Sequence, residues 1–278
     1  MKRAGMFLMG ILFALAAGAA VTDTIKVYSN SMHKDIKVVI IRPAAYDQDM
    51  QRHFPVVYLL HGYSGNHASW LKDAPQLPAK ADELNMILVC PDGGYNSWYF
   101  DSPVDSTVRY ETFVTSELMT YIDGNYRTVA DRHCRAIAGL SMGGHGAFYL
   151  GMRHKDLFGA AGSMAGGVDI RPFPRNWDMV RVLGDTLLHK DNWERNTVIN
   201  IASGLKNGEL KLVMACGVGD FFLQVNRDLH RKLLEMKIDH DYTERPGAHN
   251  RDFWGNSVDY QLLFFKKYFE NFQEKIGG

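Results

Sequence analysis

Residues Arg135 to Leu150, RAIAGLSMGGHGAFYL, crowd Gly139, Gly143, Gly144 and Gly146 around Ser141, between two apolar runs. Gly139-Leu140-Ser141-Met142-Gly143 fits G-x-S-x-G directly after a strand-like run and before a helical one. In that context the pattern marks a serine nucleophile. The chemistry accounts for the glycines. A nucleophilic serine must project into a cleft from a strained turn, and side chains at the flanking positions would collide with neighbouring elements. The helix that follows points its free N–H groups at the site, where they favour developing negative charge. The amide of Met142 is the natural first oxyanion donor. The plain alternative is a strand, a turn and a helix, with glycine wherever packing is tight.

A serine hydroxyl needs a base, and the base needs an acid to orient it. Among eleven histidines His249 stands out, in ERPGAHNRDFW, after a strand-like stretch and a Pro-Gly turn and at the opening of the last helix. His145 lies four residues past Ser141 and cannot easily reach back over the turn. His61 ends a strand in LLHGYSG and reads as a residue that holds its loop. The remaining histidines fall where solvated faces or loops are expected. Asp220 follows LVMACGVG at the carboxyl end of a strand, where a carboxylate can reach Nδ1 of the base and fix its tautomer. Its alternative role is to cap the next helix. The chain order Ser141, Asp220, His249 is that of α/β-hydrolases. The second oxyanion donor should come from the loop after the first buried strand, where HGYSG offers the amide of Tyr63.

The elements needed to position these groups are legible around them. TIKVYSN and DIKVVIIRP read as an antiparallel pair, with Pro43 ending the second. HFPVVYLLHG, NMILVCPDGG, CRAIAGLS and LKLVMACG are continuous apolar runs, as strands buried on both faces should be. Phe221, Val225, Leu229, Leu233 and Met236 recur at helical spacing, as do Val258, Leu262, Phe265, Phe269 and Phe272. Asp105 to Tyr126 and Gly143 to His154 also read as helical. Strands alternating with helices predict a mostly parallel sheet covered on both faces, with ligands beyond the carboxyl ends of its strands. The segment from Val168 to Asn207 has no clean period and reads as an insertion, either a pocket wall or loop elaboration.

Of 278 residues, 46% are hydrophobic and 22% charged, the proportions of a soluble globular domain. Met1-Lys2-Arg3, the apolar run from Met6 to Ala17 and the small residues Ala17-Gly18-Ala19 follow the grammar of a secretory signal peptide. The run is shorter than the ~20 residues that span a bilayer. No Cys follows it, so a lipoprotein anchor is not expected. The reading is therefore a signal peptide over 1–20 and one domain over 21–278, exported to the periplasm or beyond a bacterial cell. Removing 1–20 takes away Lys2 and Arg3 and leaves a formal charge of −2. That balance gives no electrostatic reason for a nucleic-acid or anionic-membrane partner. Cys90, Cys134 and Cys216 lack metal or redox spacing and are expected to be buried thiols, with one disulfide formally allowed.

The blocks VVYLLHGYSGN, GLSMGGHGAF, ACGVGDFF and RPGAHNRDFW, in this order, resemble the esterase D-like α/β-hydrolases. That family includes feruloyl and acetyl-xylan esterases of carbohydrate esterase family 1, S-formylglutathione hydrolases, tributyrin-type esterases and mycolyltransferases. The resemblance spans Thr24 to Phe272. It implies an α/β-hydrolase fold, a mostly parallel sheet with helices on both faces and antiparallel strands at the N-terminal edge. It also implies Ser141 as nucleophile, Asp220 as acid, His249 as base, and the amides of Tyr63 and Met142 as oxyanion hole. Where the family commonly has Gly-Gly-His, this chain has Gly247-Ala248-His249. Trp98 and Tyr99, in GGYNSWYFDSP, either contact substrate or simply pack. The expected activity is hydrolysis of a small-molecule or oligosaccharide ester through an acyl-enzyme, without metal or organic cofactor. Acyl esters of plant carbohydrate are favoured because export argues against the cytosolic formylglutathione role. An acyltransferase would use the same triad with an acceptor alcohol, and a non-catalytic binding module would typically lose one of its members.

Overall fold

The computed structural model describes residues 18–277. The expected signal peptide lies almost wholly outside the described residues. One eight-stranded sheet runs through the protein: β1 (Val21–Ser29), β2 (Lys34–Arg42), β3 (Val56–Leu60), β4 (Ile87–Pro91), β5 (Arg135–Leu140), β6 (Ala160–Met164), β7 (Lys211–Gly217) and β8 (His240–Arg245). Its spatial order is β1-β2-β4-β3-β5-β6-β7-β8. β1 pairs with β2 and β2 with β4 antiparallel, and every later pairing is parallel. This is an α/β-hydrolase sheet with its antiparallel strands at the N-terminal edge.

The strand compositions follow from where each strand lies. Every residue of β3, β4 and β5 is buried, because helices cover both faces, whereas edge strand β8 (HDYTER) is polar and half-exposed. Alternation sorts the buried residues into two cores. Val56, Tyr58 and Leu60 join one cluster, with Ile137 and Phe148; Val57 and Leu59 join the other, with Leu262 and Phe265. The first core lies under the helix Met142–Arg153, the second under the long helix Arg251–Gly277.

Several expectations need adjustment. β6, Ala160-Ala161-Gly162-Ser163-Met164, carries no β-branched run, and apolar patterning did not mark it. Its small residues serve the helix above it: a side chain at Gly151 would meet Ala161 Cβ at 2.8 Å. The helical stretch expected from Asp105 starts only at Tyr110, because the Asp105 carboxylate accepts from the amide and hydroxyl of Thr107 in a local turn. That stretch also contains a π-helical turn, Phe113–Leu118. The last helix begins at Arg251, so His249 sits in the loop before it. The insertion between β6 and β7 holds three short α-helices, Met179–Leu183, Lys190–Asn196 and Val198–Ile201, and a 3₁₀ turn, Ala202–Gly204. All three cysteines are buried and free. No helix among the described residues is long and apolar enough to cross a membrane.

Phe265 anchors the second core, wholly buried on the long helix. Phe265→Ala should cost about 3–5 kcal/mol of unfolding free energy, read as a lowered urea midpoint. An unchanged midpoint would mean that this helix is not integral to the core.

Candidate active site

The chemistry-bearing residues meet at the carboxyl edge of the sheet. β5 ends at Leu140, and the next residue, Ser141, turns the chain into the helix Met142–Arg153. Its backbone is strained, with φ 54° and ψ −117°. Two glycines make the turn feasible. A Cβ at Gly139 would strike the Gly143 carbonyl, and one at Gly143 would strike the carbonyl of Leu60 on β3. The helix therefore starts against the backbone of the sheet itself, with Ser141 half-buried at its tip.

Asp220 follows β7 and His249 follows β8, two strands that lie side by side. The loops after them touch: the amide of Gly219 donates to the carbonyl of Gly247 at 2.8 Å, and a side chain at Gly217 would meet that same carbonyl at 2.5 Å. The result is a continuous chain of hydrogen bonds. His249 Nε2 lies 2.8 Å from Ser141 Oγ, and His249 Nδ1 lies 2.8 Å from Asp220 Oδ2. With the proton on Nδ1, the ring donates to the carboxylate and accepts from the serine. The Asp220 side chain is wholly buried, and its other oxygen accepts from the Phe222 amide at 2.8 Å. Asp220 thus orients the histidine and closes a local turn onto Phe222; it is not the N-cap of the next helix, which starts at Leu223 behind Phe222. Rings of Phe221 (4.2 Å between centroids) and Trp254 (5.0 Å) flank the imidazole.

The loop His61-Gly62-Tyr63 lies directly against the serine. A side chain at Gly62 would meet Leu140 Cδ1 at 2.7 Å and Ser141 Cβ at 3.4 Å. His61 holds this loop. Its Nδ1–H donates to the Gly62 carbonyl at 2.7 Å, and its Nε2 accepts from the Gly93 amide at 2.7 Å. The Gly65 amide donates to the same Gly62 carbonyl at 3.1 Å. That carbonyl shares a planar peptide unit with the Tyr63 N–H, so pinning one orients the other. Among the described residues, the amides of Tyr63 and Met142 have no acceptor within the protein.

Trp98 and Tyr99 are wholly buried and do not line the groove. Of the two roles open to them, the structure places them in packing. Tyr99 donates its hydroxyl to the His61 carbonyl at 3.0 Å, and Trp98 packs on His145 and Trp177. The groove at Ser141, about 240 Å³, is lined instead by Tyr63, Trp177, Phe221, His249 and Trp254. Phe221 and Trp254 stand in the quoted DFF and RDFW blocks beside the triad candidates, a usable signal. Trp177 sits in the aperiodic insertion and had none. A larger hollow of about 640 Å³ lies away from the serine. There Glu111 is held near 2 against burial by His154, Arg153 and Tyr149, its own structural partners.

The model of the family described as "Putative esterase" matches residues 29–265. The chain is similar to an acetyl esterase of Caldicellulosiruptor saccharolyticus, 29% identical over 256 residues, which is 84% of this chain and 94% of the relative. Among solved structures it is similar to a ferulic acid esterase, with a TM-score of 0.78 at 26% identity, covering 90% of this chain and 99% of that one. An S-formylglutathione hydrolase from Agrobacterium tumefaciens shares the fold at a TM-score of 0.77 and 21% identity, over 94% of this chain and all of its own.

Two buried histidines near the site are held neutral. Burial lowers His61, and burial pushes His145 down to about 4. Both bind fewer protons folded than unfolded, so their contribution to stability is full above the unfolded value of about 6.5. It is lost as pH falls toward the folded value. Unfolding free energy should therefore drop by on the order of 3 kcal/mol for His145 alone between pH 6.5 and 4. Urea melts at a series of pH values would show it, and His145→Gln should flatten part of the slope. A stability flat across that window would contradict the neutral assignment.

Proposed function

Since the chain belongs to the esterase family, we propose that it hydrolyses carboxylic esters through a Ser141–His249–Asp220 triad and an acyl-enzyme on Ser141. One observation carries this reading: the unbroken hydrogen-bonded chain from Ser141 Oγ through His249 to the buried Asp220 carboxylate. Ser141 Oγ attacks the ester carbonyl carbon while its proton passes to His249 Nε2. Asp220 stabilises the imidazolium through Nδ1–H. The amides of Tyr63 and Met142, free of internal partners, hold the oxyanion, and the helix N-terminus behind Met142 adds to the favourable field. The ester C–O bond then breaks as Nε2 returns the proton to the leaving alcohol. Water repeats the cycle on the acyl-enzyme, with His249 taking its proton and Ser141 leaving.

The substrate class proposed is acyl esters of carbohydrate, acetyl or feruloyl. The names of the similar acetyl esterase and ferulic acid esterase support it. So does the groove, whose walls of Trp177, Phe221 and Trp254 offer flat apolar surfaces to a planar acyl group without excluding a small one. Export by a signal peptide over 1–20 belongs to the same reading.

The test is acid release from short aryl esters, acetylated xylan and feruloylated arabinoxylan fragments. Ser141→Ala and His249→Ala should each lower kcat by on the order of 10⁶, and Asp220→Ala by roughly 10⁴. Equal turnover by wild type and Ser141→Ala would sink the mechanism. Turnover of aryl esters with silence on both glycans would retire only the carbohydrate assignment.

A further inference from the structure

The insertion reaches across the groove at one residue pair. Trp177 and Asp178 both have left-handed backbones, φ 52° and φ 54°. Two successive non-glycine residues in that region cost on the order of 1–2 kcal/mol each, so surrounding contacts must impose the conformation. The contacts are visible. The Trp177 ring lies parallel to Phe221 (5.8 Å, 22°) and against Phe222, Phe173 and Trp98, which seats it on the core. That seat aims the next side chain across the mouth. Asp178 Oδ2 accepts from the Tyr63 hydroxyl at 2.8 Å. The other charged group near this carboxylate is Arg181, 4.0 Å from Oδ1 and exposed. Tyr63 is further fixed by the Tyr95 ring at 4.9 Å and by the Ser64 amide donating to the Tyr95 carbonyl at 2.8 Å.

We propose that Asp178 is a positioning residue for ester hydrolysis. Through the Tyr63 hydroxyl it braces the loop that carries the Tyr63 amide, so the insertion supplies a latch for the oxyanion hole. This rests on the reading of that amide as an oxyanion donor. His61 pins the peptide unit from the buried side, by its carbonyl; Asp178 pins the same residue from the solvent side, by its ring. Without the latch the Tyr63 ring keeps only its contact with Tyr95, and the amide samples positions off the line to the developing oxyanion. Such a loss falls on the transition state and not on substrate binding.

Tyr63→Phe removes one oxygen and leaves the Trp177–Asp178 backbone untouched, so it carries the test even if the partner variants weaken the fold. Asp178→Gly removes the carboxylate while tolerating the left-handed backbone. Asp178→Asn keeps both that backbone and an acceptor. On a short aryl ester, Tyr63→Phe and Asp178→Gly should each lower kcat about tenfold, short of the ~10²–10³ for losing an oxyanion donor outright. KM should stay within about twofold. The double variant should be no worse than either single one, and Asp178→Asn should recover most of the rate. An unchanged kcat in Tyr63→Phe and Asp178→Gly, whatever happens to the melting temperature, overturns the inference. So does a rise in KM at constant kcat, which would make Asp178 a substrate contact. Ser141→Ala, assayed alongside, reads the triad separately: activity there overturns the underlying reading, whereas loss there with Tyr63→Phe at full rate overturns only the latch.

Discussion

The structure depends on one close approach, that of the first turn of the Met142–Arg153 helix to the backbones of β3 and β5. Gly139 and Gly143 sit in van der Waals contact with each other and with the Leu60 carbonyl, with no room for a methyl group at either. This forces the chain to leave β5 through a single strained residue, Ser141. The same contact fixes where the helix N-terminus points and where the loop after β3 must pass. Gly62, two residues beyond Leu60, consequently lies against Ser141. The place of Ser141, the direction of the helix N-terminus and the course of the His61–Tyr63 loop are thus three consequences of one packing constraint.

Around that rigid floor the other groups are held by different means. Asp220 and His249 arrive on neighbouring parallel strands, so the β7–β8 register sets their separation before any side chain is considered. The buried Asp220 carboxyl group is satisfied by a backbone amide and an imidazole, as a polar group removed from water requires. The mouth has no such strand-borne frame. Its aromatic walls come from the insertion, from the loop after β7 and from the first turn of the last helix, and they pack on one another from Phe173 through Trp177 to Phe221. The floor is set by the sheet; the mouth is set by side chains packing on it.

This division explains what could be read from the chain. Ser141, Asp220 and His249 were legible because each follows a recognisable strand and stands in a local pattern that its chemistry demands. The buried strands β3, β4, β5 and β7 were legible from unbroken apolar runs. β6 was not, because a strand under a tightly packed helix is selected for smallness, and Ala, Gly and Ser carry no strand signature. Trp98 and Tyr99 were ambiguous because large aromatics suit cores and ligand walls equally. Only their neighbours decide: a side chain at Gly146 would collide with the Tyr99 ring, so that glycine exists to admit it. Trp177 and Asp178 left no trace in the sequence, since a left-handed turn made by non-glycine residues has no compositional mark.

Comparing His61, His145 and His249 shows why the proposed base is singled out by its position in the fold and not by residue type. A general base must accept a proton during the reaction and return it. His145 cannot, since it is sealed among Trp98, Phe100 and Tyr149, with Nε2–H committed to the Asn196 carbonyl and burial opposing charge. His61 cannot either. Both its nitrogens are spent on backbone groups, and a second proton would turn the acceptor of the Gly93 amide into a donor facing a donor. His249 alone has Nε2 directed at the Ser141 hydroxyl and Nδ1 at a carboxylate able to offset the imidazolium charge. Its side chain also keeps some contact with solvent, at 14% exposure. Burial that makes the first two histidines good structural clamps is what sets them apart from the proposed base.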